Sequence, residues 1–105
     1  MKHLNDENFA DAIASGITLV DFWAPWCGPC QMFAPVFEST AAAHPAITFA
    51  KFEIDNNNKR TAATYGIRSI PAVLAFRDGE LIEARTGLMD ATALDAWVKE
   101  LTSSA

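Results

Sequence analysis

The only two cysteines of this 105-residue chain lie three positions apart, in the segment Trp26-Cys27-Gly28-Pro29-Cys30. Two thiols at this spacing can open and close a disulfide, supply part of a zinc site, or pack as small apolar side chains. These chemistries place different demands on the rest of the sequence. The residues around the pair therefore decide among them.

A metal site or a purely structural role fits the sequence poorly. Zinc needs about four ligands, and His3 and His44 are the only histidines. We interpret each as a surface or helix-end residue and expect no metal. A disulfide that closes so short a loop contributes only about 2 kcal/mol, and two unreactive buried cysteines would not need the neighbouring tryptophan and Gly-Pro. The pattern favours redox chemistry.

The predicted elements place Cys27 at the start of a helix. Ile17–Trp23 is a nearly unbroken apolar run, typical of a strand buried on both faces, and a helical pattern extends from Cys27 to about His44. A thiol at a helix N-terminus is stabilised as a thiolate by the helix dipole and by unpaired N–H groups. Cys30 follows one turn later and can face back. We therefore predict that Cys27 is the more reactive thiol.

Asp21 is a carboxylate within the apolar strand, six residues before Cys27. On a period of two it shares a face with Leu19 and Trp23. Burial without a partner should raise its pKa until it can hold or release a proton near neutral pH, beneath the second thiol. Alternatively, Asp21 is the ion-pair partner of Lys51 on a neighbouring strand, or is bonded to buried water. These interpretations are compatible, since a nearby lysine would tune the same proton.

The segments that flank this region show the patterns of further strands and helices. Asn5 is a candidate N-cap, with Asp6 in the first turn, for a short helix that Gly16 ends. Pro35 should bend the helix that follows Cys27. The other predictions are a strand over 47–54, a helix over 56–65, hairpin strands over 72–76 and 81–85 joined through Asp78-Gly79, and a last helix capped by Asp90.

This order of elements predicts one α/β domain over residues 1–105, with a central mixed sheet of four or five strands and about four helices. The formal charge of -5 and the pI near 4.8 argue against nucleic acid or an acidic membrane surface as partner. The N-terminal residues lack the apolar core of a signal peptide, and no segment approaches the length of a membrane span. We expect a cytoplasmic monomer.

Beyond this local chemistry, the chain resembles the thioredoxin family over nearly its full length. The matching segments are Val20-Asp21-Phe22-Trp23-Ala24, Trp26-Cys27-Gly28-Pro29-Cys30, Ala50-Lys51, Ile54-Asp55, Tyr65-Gly66-Ile67-Arg68-Ser69-Ile70-Pro71 and Thr86-Gly87. They occur in the same order and at the same spacing as in the family. The resemblance implies the thioredoxin-like fold.

The resemblance also implies a role for each matching site residue. Cys27 is expected to attack the substrate and Cys30 to be the buried resolving thiol, with Asp21 as proton acceptor and Lys51 nearby. Ile70-Pro71 is similar to the cis-proline step of the family, where the backbone of residue 70 pairs with an extended substrate segment. The expected substrate-binding residues are Trp26, Gly28, Pro29, Ile70, Pro71 and Gly87.

The activity implied by the resemblance is the reduction of disulfides in other proteins. A separate reductase must recharge the dithiol, because the chain has no Gly-rich dinucleotide fingerprint. No bound cofactor is expected. A disulfide oxidant or isomerase on the same fold is the alternative within this chemistry, and a binding module whose redox state is incidental is the alternative outside it.

Three residues differ from the common pattern of the family. Gln31 stands where lysine or arginine is frequent, Ala72 where threonine is frequent, and Thr86 where a larger apolar residue is frequent. We expect the missing charge to disfavour the thiolate slightly and to weaken docking to an acidic partner. Trp23 and Asp55 resemble the support behind the motif, or serve only as a core residue and a strand-end cap.

Overall fold

The computed structural model describes residues 1–103, which form a five-stranded mixed sheet with two helices on each face. The strands lie in the order β1-β3-β2-β4-β5. Their bounds are β1 Lys2–Leu4, β2 Ile17–Trp23, β3 Thr48–Glu53, β4 Ala72–Arg77 and β5 Glu80–Thr86, and those of the helices are α1 Phe9–Ala12, α2 Gly28–Ala43, α3 Arg60–Thr64 and α4 Ala91–Ser103. The predicted α/β class is confirmed.

The central strand is β2, which pairs in parallel with β3 and antiparallel with β4. Helices α1 and α3 pack on one face around Phe9, Phe22 and Phe52. Helices α2 and α4 pack on the other face, around a second apolar cluster that includes Leu19 and Phe33. Because both faces are covered, β2 is apolar along almost its whole length. Asp21 is the only charged residue of β2, and it points to the face that carries α2 and α4.

Local signals correctly predicted the C-terminal part of the chain. The hairpin of β4 and β5 turns through Asp78 and Gly79, both with positive φ, as an Asp-Gly turn requires. The Asp90 carboxylate accepts a hydrogen bond of 2.8 Å from the N–H of Ala93 and caps α4. Pro35 lies inside α2, and the bend expected there stays a prediction. No helix within residues 1–103 is long and apolar enough to cross a membrane.

The predicted starts of α1 and α3 were wrong. The Asn5 side chain accepts hydrogen bonds from the N–H groups of Glu7 and Asn8 and closes a turn, so that α1 begins only at Phe9. Residues 55–58 form a second turn, and α3 begins at Arg60 rather than near residue 56. In both places short polar side chains bond to the backbone and displace the first helical turn.

The cap of α3 comes from a distant part of the chain. Asp6 was expected in the first turn of α1, but its carboxylate accepts hydrogen bonds from the N–H groups of Arg60, at 3.2 Å, and Thr61, at 2.8 Å. It also accepts one from the Thr61 hydroxyl. Desolvation of the carboxyl group raises the pKa of Asp6, but these hydrogen bonds together outweigh that effect and hold the pKa below its usual value. Asp6 thereby joins the N-terminal loop to α3.

Candidate functional site

Cys27 and Cys30 form a disulfide at the junction of β2 and α2. Their Cα atoms are 5.2 Å apart. Cys27 is the N-cap of α2, and its sulfur accepts a hydrogen bond of 3.2 Å from the N–H of Cys30. The sulfur of Cys27 therefore lies at the positive end of a helix of 16 residues, where a thiolate is stabilised once the disulfide opens.

The two cysteines differ in exposure in the expected direction. Cys27 is 6% exposed and Cys30 is 1% exposed. The residues around Cys27 are open to solvent: Trp26 is 78% exposed, and Gly28 and Pro29 are exposed as well. A disulfide on another protein can thus approach Cys27 over this surface, whereas Cys30 is reachable only from within the molecule.

A second loop completes the surface around Cys27. The Ile70-Pro71 peptide bond is cis, as predicted, and the Ile70 carbonyl oxygen lies 3.8 Å from the sulfur of Cys27. The N–H of Gly87 donates a hydrogen bond of 2.8 Å to the Pro71 carbonyl. Gly87 has a φ of 89°, which favours glycine. The structure thus brings together residues that lie 60 positions apart, from Cys27 to Gly87.

Leu88 extends this surface and was not predicted from the sequence. Its side chain is half exposed directly after Gly87, next to the loop that carries Pro71. Gly87 was expected in the binding surface, so the apolar residue directly after it could have been predicted to belong to that surface as well. Met32 is also largely exposed, although it belongs to the first half of α2.

Asp21 is fully buried, and neither of its carboxylate oxygens has a hydrogen-bond partner within residues 1–103. Burial raises its pKa to about 7, and the positive charge of Lys51 opposes this rise. The expected shift of the pKa to near neutrality is therefore confirmed. At neutral pH Asp21 can take up or release a proton without leaving the interior.

Lys51 is the neighbour of Asp21 across the β2–β3 ladder, but it is not bonded to that carboxylate. Its ammonium lies 4.8 Å from the centre of the Trp23 ring and 3.8 Å from a carboxylate oxygen of Glu38. Sequence reasoning missed Glu38. It is the only charged residue between Gly28 and Ala43, and this isolated position could have indicated that it has a specific partner.

The remaining predicted residues support the loops around the disulfide. The Gln31 amide donates a hydrogen bond of 2.6 Å to the Pro25 carbonyl, so this side chain folds back onto the loop before Cys27. The Asp55 carboxylate accepts a bond of 2.8 Å from the N–H of Asn57 and fixes the turn after β3. Trp23 is partly buried and packs against the cluster formed by Ala24, Cys27 and Cys30.

The histidines do not converge on the cysteines. His44 ends α2 and forms a contact of 2.7 Å with Asp95 of α4. Within residues 1–103, no group of three or more histidine, cysteine, aspartate or glutamate side chains is placed to hold a metal ion. The geometry is suited to thiol-disulfide exchange: a disulfide at a helix N-terminus, an exposed apolar surface beside it, and a buried carboxyl group with a pKa near neutrality.

Comparison with known proteins identifies a family. The thioredoxin family model matches residues 1–100. Thioredoxin from Chlamydia trachomatis is 47% identical over 91 residues, covering 87% of this chain and 88% of the relative. Thioredoxin from Rhodospirillum rubrum is 40% identical over 102 residues, covering 94% and 97%. Thioredoxin from Bacillus subtilis is 40% identical over 96 residues, covering 90% and 91%.

Proposed function

The chain belongs to the thioredoxin family and is a thiol-disulfide oxidoreductase, and we propose that it works as a reductant of disulfides in other proteins. The observation that carries this proposal is the position of the Cys27–Cys30 pair, at the N-terminus of α2 and with the Cys27 sulfur 3.8 Å from the carbonyl oxygen of the partly exposed Ile70. Such a position favours the thiolate of Cys27 and gives a substrate access to it. The oxidant or isomerase alternative has no observation in its favour.

The reaction begins on the reduced protein. The Cys27 thiolate attacks one sulfur of the substrate disulfide, and the other substrate sulfur leaves as a thiolate that takes a proton. Cys30, after losing its proton, attacks the Cys27 sulfur of the mixed disulfide and expels the second substrate thiolate. The substrate gains two electrons and two protons, and the protein is left with the Cys27–Cys30 disulfide.

Asp21 is the proposed acceptor of the Cys30 proton. It lies on β2, the strand that leads into the motif, and its oxygens have no other partner within residues 1–103. With a pKa of about 7, its carboxylate form is available at neutral pH and is basic enough to take a thiol proton. Lys51 carries the positive charge that adjusts this pKa.

Protein substrates are proposed to dock on the surface of Trp26, Gly28, Pro29, Ile70, Pro71 and Gly87. Trp26→Ala should slow reduction of a protein disulfide about tenfold, because an exposed tryptophan in a binding surface contributes roughly 1 to 2 kcal/mol of binding energy. Reduction of a small aromatic disulfide should change less than about twofold. Rates with both substrates, at concentrations below saturation, measure the difference.

Leu81→Ala is the matched control for this substitution. Leu81 is exposed and apolar but lies at the opposite end of β5 from Gly87. It should leave both rates unchanged. Equal losses for Trp26→Ala on the protein and on the small disulfide would contradict the docking role.

The family implies disulfide substrates and a reductase as partners. The dithiol must be regenerated by that reductase after each cycle, since two electrons leave with every substrate. We place the protein in the cytoplasm, where thiols are kept reduced, and propose that it acts as a monomer, without a bound cofactor and without contact with nucleic acid or membrane.

The midpoint potential of the Cys27–Cys30 couple tests the direction of the reaction. The established reference values are about -270 mV for thioredoxin and about -180 mV for protein disulfide isomerase, a difference worth about 4 kcal/mol for two electrons. We expect a value near the former. Equilibration in a series of thiol-disulfide buffers, followed by alkylation and mass determination, gives the potential. A value of about -180 mV or higher contradicts a reductant.

A further inference from the structure

The carboxylates of Glu38 and Asp21 both lie on the elements next to Lys51, but the ammonium contacts only that of Glu38. It lies 3.8 Å from Glu38, whereas Asp21 on the adjacent strand accepts no hydrogen bond from it. The Glu38 side chain is 58% exposed and that of Lys51 is 11% exposed. Because the stem of a lysine side chain is flexible, the resting place of its ammonium depends on the groups that attract it.

We propose that Glu38 is a positioning residue, which holds the Lys51 ammonium over the face of the Trp23 ring and away from Asp21. The contact of 4.8 Å between the ammonium and the ring centre supports this arrangement. Held in this way, Lys51 stabilises the Asp21 carboxylate only weakly, and Asp21 keeps its affinity for a proton at neutral pH. The proposal rests on the proposed role of Asp21 as proton acceptor.

The other charged groups on this face do not take the place of Glu38. In register across the sheet, the row that contains Asp21 runs from His3 through Lys51 and Asp21 to Val73 and Arg85. His3 is exposed at the edge strand, and Val73 is apolar. On the far side, Arg85 pairs with Glu83 and Glu100.

The two helices on this face carry few further charges. On α4, Asp95 pairs with His44 and Lys99. On α2, Glu38 is the only charged residue, and Cys30 is the only other titratable group. Of these groups, Glu38 is the one in contact with Lys51. A change at Glu38 should therefore reach Asp21 through Lys51.

The test is the titration of the Asp21 carboxyl group in the oxidised protein, followed by ¹³C NMR, with Asp21→Asn to assign the resonance. Glu38→Gln removes a negative charge and frees Lys51 to approach Asp21, and both effects favour the carboxylate. We expect the midpoint of Asp21 to fall by about half a pH unit. Glu80→Gln, which removes the same charge from the exposed start of β5, should leave it unchanged.

Repeating the titration in a variant without the Lys51 charge distinguishes a positioning role of Glu38 from a direct effect of its charge on Asp21. In Lys51→Met, which keeps the apolar stem, Glu38→Gln should shift the Asp21 midpoint by less than half as much. An unchanged or raised midpoint in Glu38→Gln, or an equal shift with and without Lys51, overturns the proposal. The titration needs no turnover, so this failure is distinct from that of the proton-acceptor role, which would appear as an unchanged pH–rate profile in Asp21→Asn.

Discussion

Cys30→Ser is expected to stop turnover and to accumulate a mixed disulfide between Cys27 and the substrate. The Cys27 thiolate can still attack, but a serine hydroxyl at position 30 is too weak a nucleophile to attack the Cys27 sulfur and expel the bound substrate thiolate, so the reaction halts after the first exchange. Cys27→Ser should stop the reaction earlier, without any covalent adduct. Both losses should reach at least about a thousandfold. Turnover assays, together with mass determination of the trapped species, measure them.

The comparison of the two single variants tests the assignment of roles. Cys27 is at the helix N-cap beside the exposed surface, and Cys30 is 1% exposed. If Cys27→Ser formed the adduct instead, the roles would be reversed. The variant with both cysteines replaced by serine is the control for a binding module: binding of a partner should survive in it, whereas all reductase turnover should be lost.

The second large effect concerns stability rather than turnover. Asp21 has a pKa of about 7 in the folded protein against 3.8 in the reference state. Between these values the folded protein holds a proton that the unfolded chain has released, so stability falls as pH rises from about 4 to about 7. The difference of about three units corresponds to roughly 4 kcal/mol. Above pH 7 this contribution no longer changes.

Asp21→Asn should remove this dependence on pH. Relative to the wild type, the variant should gain about 4 kcal/mol of unfolding free energy between pH 4 and pH 8. Urea unfolding of both oxidised proteins across this range measures the difference. Asp11→Asn, which removes a carboxylate from an exposed position of α1, is the control and should follow the wild type. A pH slope in Asp21→Asn equal to that of the wild type contradicts the raised pKa.

Much of the site could be predicted from the sequence because the relevant signals are local. The spacing of Cys27 and Cys30, the apolar run before them and the helical pattern after them place the disulfide at a helix N-terminus. A carboxylate in an otherwise apolar strand indicates a perturbed pKa, and Asp21 has one. These inferences need only the periods of strand and helix and the cost of burying a charge.

Other features depend on contacts between residues that are far apart in the sequence. The cap of α3 comes from Asp6, 55 residues before Thr61, and no local pattern marks that pairing. The contact between Glu38 and Lys51 joins a helix to a strand across one face of the sheet. Likewise, the hydrogen bond from Gly87 to Pro71 sets the loop beside Cys27.

The sequence by itself therefore determined which residues can react and which elements carry them, since periodicity, caps and turns act over a few residues. Only the tertiary structure decided which charges meet, because ion pairs and long-range caps depend on distances that arise when the sheet assembles. For Asp21 the distinction is direct. Its burial follows from the strand that contains it, whereas the contact between Lys51 and Glu38 arises only when α2 packs against the sheet.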